Sequence, residues 1–343
     1  MATIQRVAEL AGVSTATVSR ALAGKSTVSE ATRLKVEEAA RSLGYVASAT
    51  ASSLASGRTR NVGIVMPYLG SWYYASVLKG AHRALADAGY DLTLYHLEDT
   101  DRHPERRRRL FSEFLGRKRV DAFIAVSLEL TDEELDRIHD LGKPMVGLGG
   151  PLRGVTTLSL DDRAVANLAT SHLTSLGHRR IAFIGGSEGF NLDFHLPARR
   201  REGYEDALTA AGIELDPALR LDGDFTIEGG HQAALQILGD PRRRPTAIFA
   251  ASDEMAIGAI LAARSLGLRV PEDLSVIGID GHELGTFFGL TTVDQRPVEQ
   301  GRLAAELLLA ELRPQGPHEH TARELPYDLT VRRSTAVAPG RHD

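Results

Sequence analysis

Two stretches of the chain repeat one another. KGAHRALADAG at residues 79–89 aligns with EGYEDALTAAG at 202–212, an offset of 123, and DAFIAVS at 121–127 aligns with TAIFAAS at 246–252, an offset of 125. Around each copy, short apolar runs alternate with amphipathic stretches of helical period. In the first half the order is NVGIVMP, residues 73–88, DLTLYHL, 104–117, VDAFIAV, 132–140 and KPMVGLG. In the second it is RIAFIGG, 198–211, LRLDGDF, 227–238, TAIFAAS, 254–266 and LSVIGID. Strands that alternate with helices return in the same direction, so each half predicts a parallel α/β sheet. The duplication predicts two similar doubly wound lobes. Sheets of this kind bind ligands beyond the carboxyl ends of their strands, which places the expected ligand in the cleft between the lobes.

The first 60 residues follow a different grammar. In TIQRVAELAGVSTATVSRALAG, residues 3–24, Ile4, Val7, Ala8 and Ala11 recur at the spacing of an amphipathic helix that Thr3 is placed to cap and Gly12 to stop. Ser14 is placed to cap a second helix by accepting from the amide of Thr17, and Val18 and Leu22 supply its apolar side. The outer face carries Thr15, Ala16, Ser19 and Arg20 and no acid, the kind of surface that enters a DNA major groove. VSEATRLKVEEAARSLGY predicts a third helix, capped by Ser29, striped by Val36, Ala40 and Leu43 and ended by Gly44. VASATASSLASGRTR follows, with Leu54 as its only large apolar side chain, and predicts a hinge that orders only when something packs on it.

Charge separates the same two regions. The net charge is −5, yet residues 1–60 hold eight Lys and Arg against four Glu, while the rest holds 32 basic against 41 acidic residues. A +4 head on a −9 body is expected to present only its head to phosphate. With 343 residues and 43% apolar content, two or three domains with large cores are expected. The absence of cysteine excludes disulfides, thiol catalysis and thiolate metal sites. No apolar run reaches membrane-spanning length and the N-terminus lacks the order of a secretion signal, so no membrane partner and a cytoplasmic location are expected.

In VAELAGVSTATVSRAL, VSEATRLKVEEAARSLGY, VDAFIAV, LGHRRIAFIGG, RPTAIFAASDEMAIGA, GLRVPEDLSVIGID and LTTVDQRP, taken in that order, the chain resembles the lactose and galactose repressor family of bacterial transcription regulators, with similarity to its purine repressor branch. The resemblance covers essentially the whole chain. It implies an all-α helix-turn-helix headpiece over 1–46, a hinge helix and linker over 47–60, and an α/β bilobal domain like a periplasmic binding protein over 61–343, built on two doubly wound parallel sheets. Lobe one is expected over 61–160 plus 292–322, and lobe two over 161–291 plus 323–335. The implied partners are double-stranded operator DNA, a small-molecule effector and a second copy of the chain. The tail RRSTAVAPGRHD has no leucine heptads, so a homodimer is expected rather than a tethered tetramer. No cofactor is implied.

Carried over by position, Thr15, Ala16 and Arg20 resemble base-reading residues, Thr17, Ser19 and Tyr45 phosphate contacts, and Leu54 the leucine wedged into the minor groove. Arg6 stands where an acidic residue is usual and Ser52 where an arginine is usual. For the effector, Tyr73, Tyr74, Arg200, Phe225 and Asp280 match cleft positions, with Asp161 and Asp253 as weaker matches, while Gly149 departs from a polar residue common there. Aromatic faces with Arg and Asp forks suit a sugar or sugar derivative first and a purine or other small polar metabolite second.

Blander readings compete. Tyr73, Tyr74 and Phe225 also suit core aromatics, Leu54 also suits packing on the body, and RRRR at 106–109 reads as the solvated face of an amphipathic helix. GGSEG at 185–189 satisfies the G-x-S-x-G pattern of a hydrolase with Ser187 as nucleophile. That elbow needs a helix starting at the serine, and FNLDFHLP follows instead, with Pro197 breaking the run. HEH at 318–320 lacks a third metal ligand, so no metal is expected, and a transport protein would need a secretion signal and no basic headpiece. The expectation is therefore a regulator and not an enzyme.

Overall fold

A computed structural model describes residues 2–22, 27–45, 58–97, 104–111, 119–187, 193–313 and 320–339. Leu54, Ser52 and the hinge expected from 47 lie outside the described residues, apart from 58–60. The headpiece is three helices, α1 (Ile4–Ala11), α2 (Thr15–Leu22) and α3 (Glu30–Ser42). Each expected cap forms: Thr3 accepts from the Arg6 amide at 3.4 Å, Ser14 from Thr17 at 3.1 Å and Ser29 from Thr32 at 3.3 Å. Gly12 takes a left-handed φ of 67°, which ends α1 without a Cβ penalty and lets Val13 turn the chain. Val7, Val18, Ala21, Val36 and Ala40 then close a small core of their own.

The linker enters the body at Asp121, whose carboxylate accepts from the Thr59 amide at 2.8 Å, the Thr59 hydroxyl at 2.9 Å and the Arg60 amide at 2.9 Å. Beyond it run β1 (Asn61–Met66), α4 (Trp72–Asp87), β2 (Asp91–His96), α5 (Pro104–Arg109), β3 (Ala122–Val126), α6 (Asp132–Asp140), β4 (Met145–Leu148) and β5 (Thr156–Ser159). The second half runs α7 (Asp162–Ser175), β6 (Ile181–Gly185), α8 (Leu196–Ala210), β7 (Arg220–Asp222), α9 (Ile227–Leu238), β8 (Ala247–Ala250), α10 (Asp253–Ser265), β9 (Ser275–Ile279), α11 (Gly285–Phe288) and β10 (Thr291–Asp294). The chain closes with α12 (Pro297–Glu311), β11 (Ala322–Glu324) and β12 (Asp328–Thr330).

The strands form two six-stranded sheets, ordered β11-β5-β4-β3-β1-β2 and β12-β10-β9-β8-β6-β7. Their central strands are buried on both faces, as helices covering both sides require. Two details differ from expectation. β12 pairs antiparallel with β10, so the second sheet is mixed at one edge. The lobe boundaries also move: β10, placed by sequence mostly in lobe one, pairs in the second sheet, and β11 completes the first. The chain therefore recrosses after Asp294 and again after Glu324, because LTTVD carries the β-branched residues that sheet two buries beside β9.

Candidate ligand cavity and nucleic-acid interface

The carboxyl ends of strands from both sheets converge on one cavity of about 830 Å³. Ser127 follows β3 and Gly149 follows β4 on one side; Phe225, Ser252, Asp280 and Gln295 follow β7, β8, β9 and β10 on the other. This is where a doubly wound sheet leaves a crevice, because the chain departs to opposite faces from neighbouring strand ends.

Five of the seven sequence-matched effector residues line the cavity: Tyr73, Tyr74, Arg200, Phe225 and Asp280. Tyr73 and Tyr74, in the first turn of α4, meet edge to face with centroids 5.3 Å apart. Burial pushes both phenols above their ordinary range, so each stays a protonated donor, and Tyr73 donates to Gln300 Oε1 at 3.0 Å. Phe225 lies on Gly186 so closely that a Cβ there would stand 2.0 Å from the ring. Arg200, 3% exposed, donates to Asp162 Oδ1 at 2.8 Å and to the Ala251 carbonyl at 2.5 Å. Asp280 holds a φ of 139°, a sparsely populated conformation for a side-chain-bearing residue and one typical of functional sites. It accepts from Gln295 Nε2 at 2.5 Å and from the Asp253 amide at 3.3 Å, and burial with the adjacent Asp253 raises its carboxyl far above the usual range. Gln300 donates in turn to the Gln295 carbonyl at 2.6 Å, so a hydrogen-bonded chain runs from Asp280 in one lobe to Tyr73 in the other.

Asp161 and Asp253 do not line the cavity. Asp161 is exposed and caps α7 by accepting from the Ala164 amide at 3.1 Å; its neighbour Asp162, first residue of that helix, turns inward to Arg200. Asp253 lies fully buried beneath Asp280, accepting from the His282 amide at 2.7 Å and the Thr292 hydroxyl at 2.9 Å. Burial raises its carboxyl to about 7. It shapes the floor, whereas Glu254 beside it lines the wall. Sequence reading missed Asp162, Asp193, Glu254, Gln295 and Gln300; the doubled acid at 161–162 was the one usable signal, since a cap takes the first member and leaves the second free to turn in.

Further contacts join the lobes around the cavity. The Ser71 hydroxyl and the Trp72 amide donate to Glu254 Oε2 at 3.1 and 3.2 Å, and Trp72 stacks on His282 with centroids 4.4 Å apart and planes at 23°. Phe194, just before α8, packs into the lobe-one core, where its ring lies over Gly150.

The rival motifs take ordinary places. Ser187 itself lies in no helix, and the next helix among the described residues, α8, starts at Leu196. Among the described residues no three metal-ligating side chains cluster, and no helix is long and apolar enough to cross a membrane. The arginine run is not wholly a solvated face: Arg107 turns inward to Glu134 at 2.6 Å and the Glu129 carbonyl at 2.7 Å, whereas Arg106 and Arg108 are exposed.

On the headpiece, Thr15, Ala16 and Arg20 are exposed and Thr17 and Ser19 half-buried along one side of α2. Arg20 makes no ion pair among the described residues. The Thr17 hydroxyl is shared with Ser14 at 2.9 Å, and Tyr45 packs its ring on the headpiece core.

Residues 3–48 match the family described as bacterial regulatory proteins, lacI family, and residues 170–335 match the periplasmic binding protein-like domain. The HTH-type transcriptional repressor CytR of Escherichia coli (strain K12) is 36% identical across 98% of this chain and 97% of its own. The ribose operon repressor of the same strain is 36% identical across 90% and 92%. Among solved structures, the lac repressor dimer bound to operator and the anti-inducer ONPF has a TM-score of 0.82 at 27% identity, covering 98% of this chain and 99% of that one. The headpiece with its exposed α2 face, joined to a bilobal body at this level of identity, makes the chain a DNA-binding transcription regulator that belongs to the LacI family.

Proposed function

We propose that the protein is a homodimeric, cytoplasmic repressor with no catalytic activity, whose operator affinity is set by a small polar effector held between the lobes. The observation that carries this reading is the convergence of strand ends from both sheets on a cavity lined by Tyr73, Tyr74, Phe225, Arg200 and Asp280. Aromatic faces beside buried, oriented polar groups suit a sugar or nucleoside-like ring with hydroxyls. In α2, Thr15, Ala16 and Arg20 read base edges in the major groove, Arg20 as a bidentate donor to guanine, while Thr17, Ser19 and Tyr45 hold the backbone and Leu54 wedges the minor groove.

Self-association is supported by exposed apolar side chains on lobe two, Phe287 at 82% and, in the same turn, Leu284 at 39%. The test selects operator sites from random duplex DNA, then measures anisotropy of the selected site with and without sugars and nucleosides. A sequence-specific complex whose affinity shifts with one of these compounds is expected. Binding without sequence preference, or a sedimentation mass of one chain, overturns the reading.

A further inference from the structure

We propose that Asp193 selects the effector: its carboxylate accepts from a hydroxyl or amino group of an uncharged ligand, and its charge turns away ligands bearing phosphate or carboxylate. The assignment rests on the reading of the cavity as an effector site and names the chemistry of that site.

Asp193 lines the cavity, is 9% exposed, and its Oδ1 has no hydrogen-bond partner among the described residues. A buried carboxylate oxygen without a donor is costly, and such an atom in a native structure calls for a specific explanation. Arg200, the nearby cation, does not supply one, because its guanidinium is engaged by Asp162 and the Ala251 carbonyl. A ligand placed against Phe225 and Tyr74 brings hydroxyl or amino hydrogens into the same cavity.

The backbone shows that the placement is enforced. Phe194 and His195, the two residues between Asp193 and α8, both hold left-handed φ values, 57° and 58°. Consecutive side-chain-bearing residues persist there only when the surroundings over-determine them, and the Phe194 ring seated over Gly150 of lobe one does so. Asp193 is thus presented to the cavity by a segment that one lobe supplies and the other anchors.

The charge balance points the same way. Asp162, Asp193, Glu254 and Asp280 line the cavity with Arg200, while His96 and Asp224 are exposed at its edge. Burial raises the Asp193 carboxyl to about 6, which leaves it mainly ionised at neutral pH, with Oδ1 in want of a donor. A phosphate entering this wall would meet the Asp193 charge with the Arg200 guanidinium already bonded to Asp162 and the Ala251 carbonyl, whereas a neutral polyol or nucleoside would bring donors without a charge.

The experiment uses the full chain at neutral pH, with calorimetry and thermal shift on ribose, cellobiose, cytidine and adenosine, and on ribose 5-phosphate and the two nucleoside monophosphates. At least one neutral compound is expected to bind wild type, with its phosphorylated counterpart weaker by about 100-fold. Asp193→Asn and Asp193→Ala are expected to weaken the neutral compound by about tenfold or more and to narrow that gap, while both variants melt no lower than wild type. Undiminished binding by Asp193→Asn overturns the assignment and leaves the effector reading intact, as does equal binding of a compound and its phosphate to wild type. If no compound binds wild type, the effector reading falls and takes this assignment with it.

Discussion

Asp193→Asn should make the unliganded protein more stable, by an amount that grows with pH. Burial moves the Asp193 carboxyl from 3.8 to about 6 on folding. Because the folded value is the higher one, the group favours the native state most below the unfolded value, and that contribution is lost as pH rises through 6. At about 1.4 kcal/mol per pK unit the full loss approaches 3 kcal/mol, an upper figure because the side chain borders a cavity. Asparagine keeps the shape and does not titrate, so the variant escapes the penalty. The linkage expression gives a wild-type penalty of about 1.6 kcal/mol at pH 5 and about 3 kcal/mol at pH 8, so the gap between the proteins should widen by about 1.4 kcal/mol over that range. The other titrating groups are common to both proteins, so the difference isolates Asp193 together with its coupling to Asp162, Arg200 and Tyr74. The assay is guanidinium unfolding of each protein at pH 5, 6, 7 and 8, followed by circular dichroism and by the emission of Trp72, the only tryptophan. A gap that stays constant across these pH values would falsify the claim that the buried Asp193 carboxylate, with one oxygen unpartnered, is the source.

Arg20→Ala should cost about 1–3 kcal/mol on the selected operator and relax preference at one base pair per half-site, with less change on random DNA. Equal losses on both, read by competition anisotropy, would mean a phosphate contact only. Arg200→Met strands Asp162 in a buried site and should cost about 3–5 kcal/mol of stability, much of it recovered by adding Asp162→Asn. A single variant that unfolds like wild type would show that the pair holds nothing together. Trp72→Ala removes the stack on His282 and should raise the radius of gyration in solution scattering as the lobes part, with weaker effector binding. Unchanged scattering curves would count against the stack as a lobe contact.

The architecture was legible because it depends on patterns that survive in one dimension. Glycine and serine punctuation set the headpiece helices, and the repeat around residues 79–89 and 202–212 announced two lobes. Of the site, Asp280 and Tyr73 were matched through the family resemblance, and they line the cavity, the first directly after β9 and the second in the opening turn of α4. The match failed where neighbours in sequence part company in space. Asp161 and Asp162 are adjacent, yet the N-cap position points one to solvent and the first helical turn points the other to Arg200. Asp253 and Glu254 divide in the same way between floor and wall. Asp193 was invisible because SEGFNLDFHL has no period, and its burial depends on Phe194 meeting a glycine in the other lobe. The short edge strand β12 runs against its neighbour because its direction is set by where the chain recrosses, which local propensity does not encode.

The stack of Trp72 on His282 and the two bonds that Glu254 accepts from Ser71 and Trp72 also govern time. They join the lobes beside the cavity, so the effector proposed above is expected to enter and leave only when they part. Association then has a ceiling: the observed rate rises with ligand concentration and levels off at the frequency with which the lobes open. Departure is slowed by the same event, so an effector that lets the clasp reform stays bound for many opening cycles. Such a clasp is expected to make the regulator filter brief fluctuations in metabolite level and answer sustained ones, which stopped-flow binding of wild type and Trp72→Ala would read as a lost plateau in the variant.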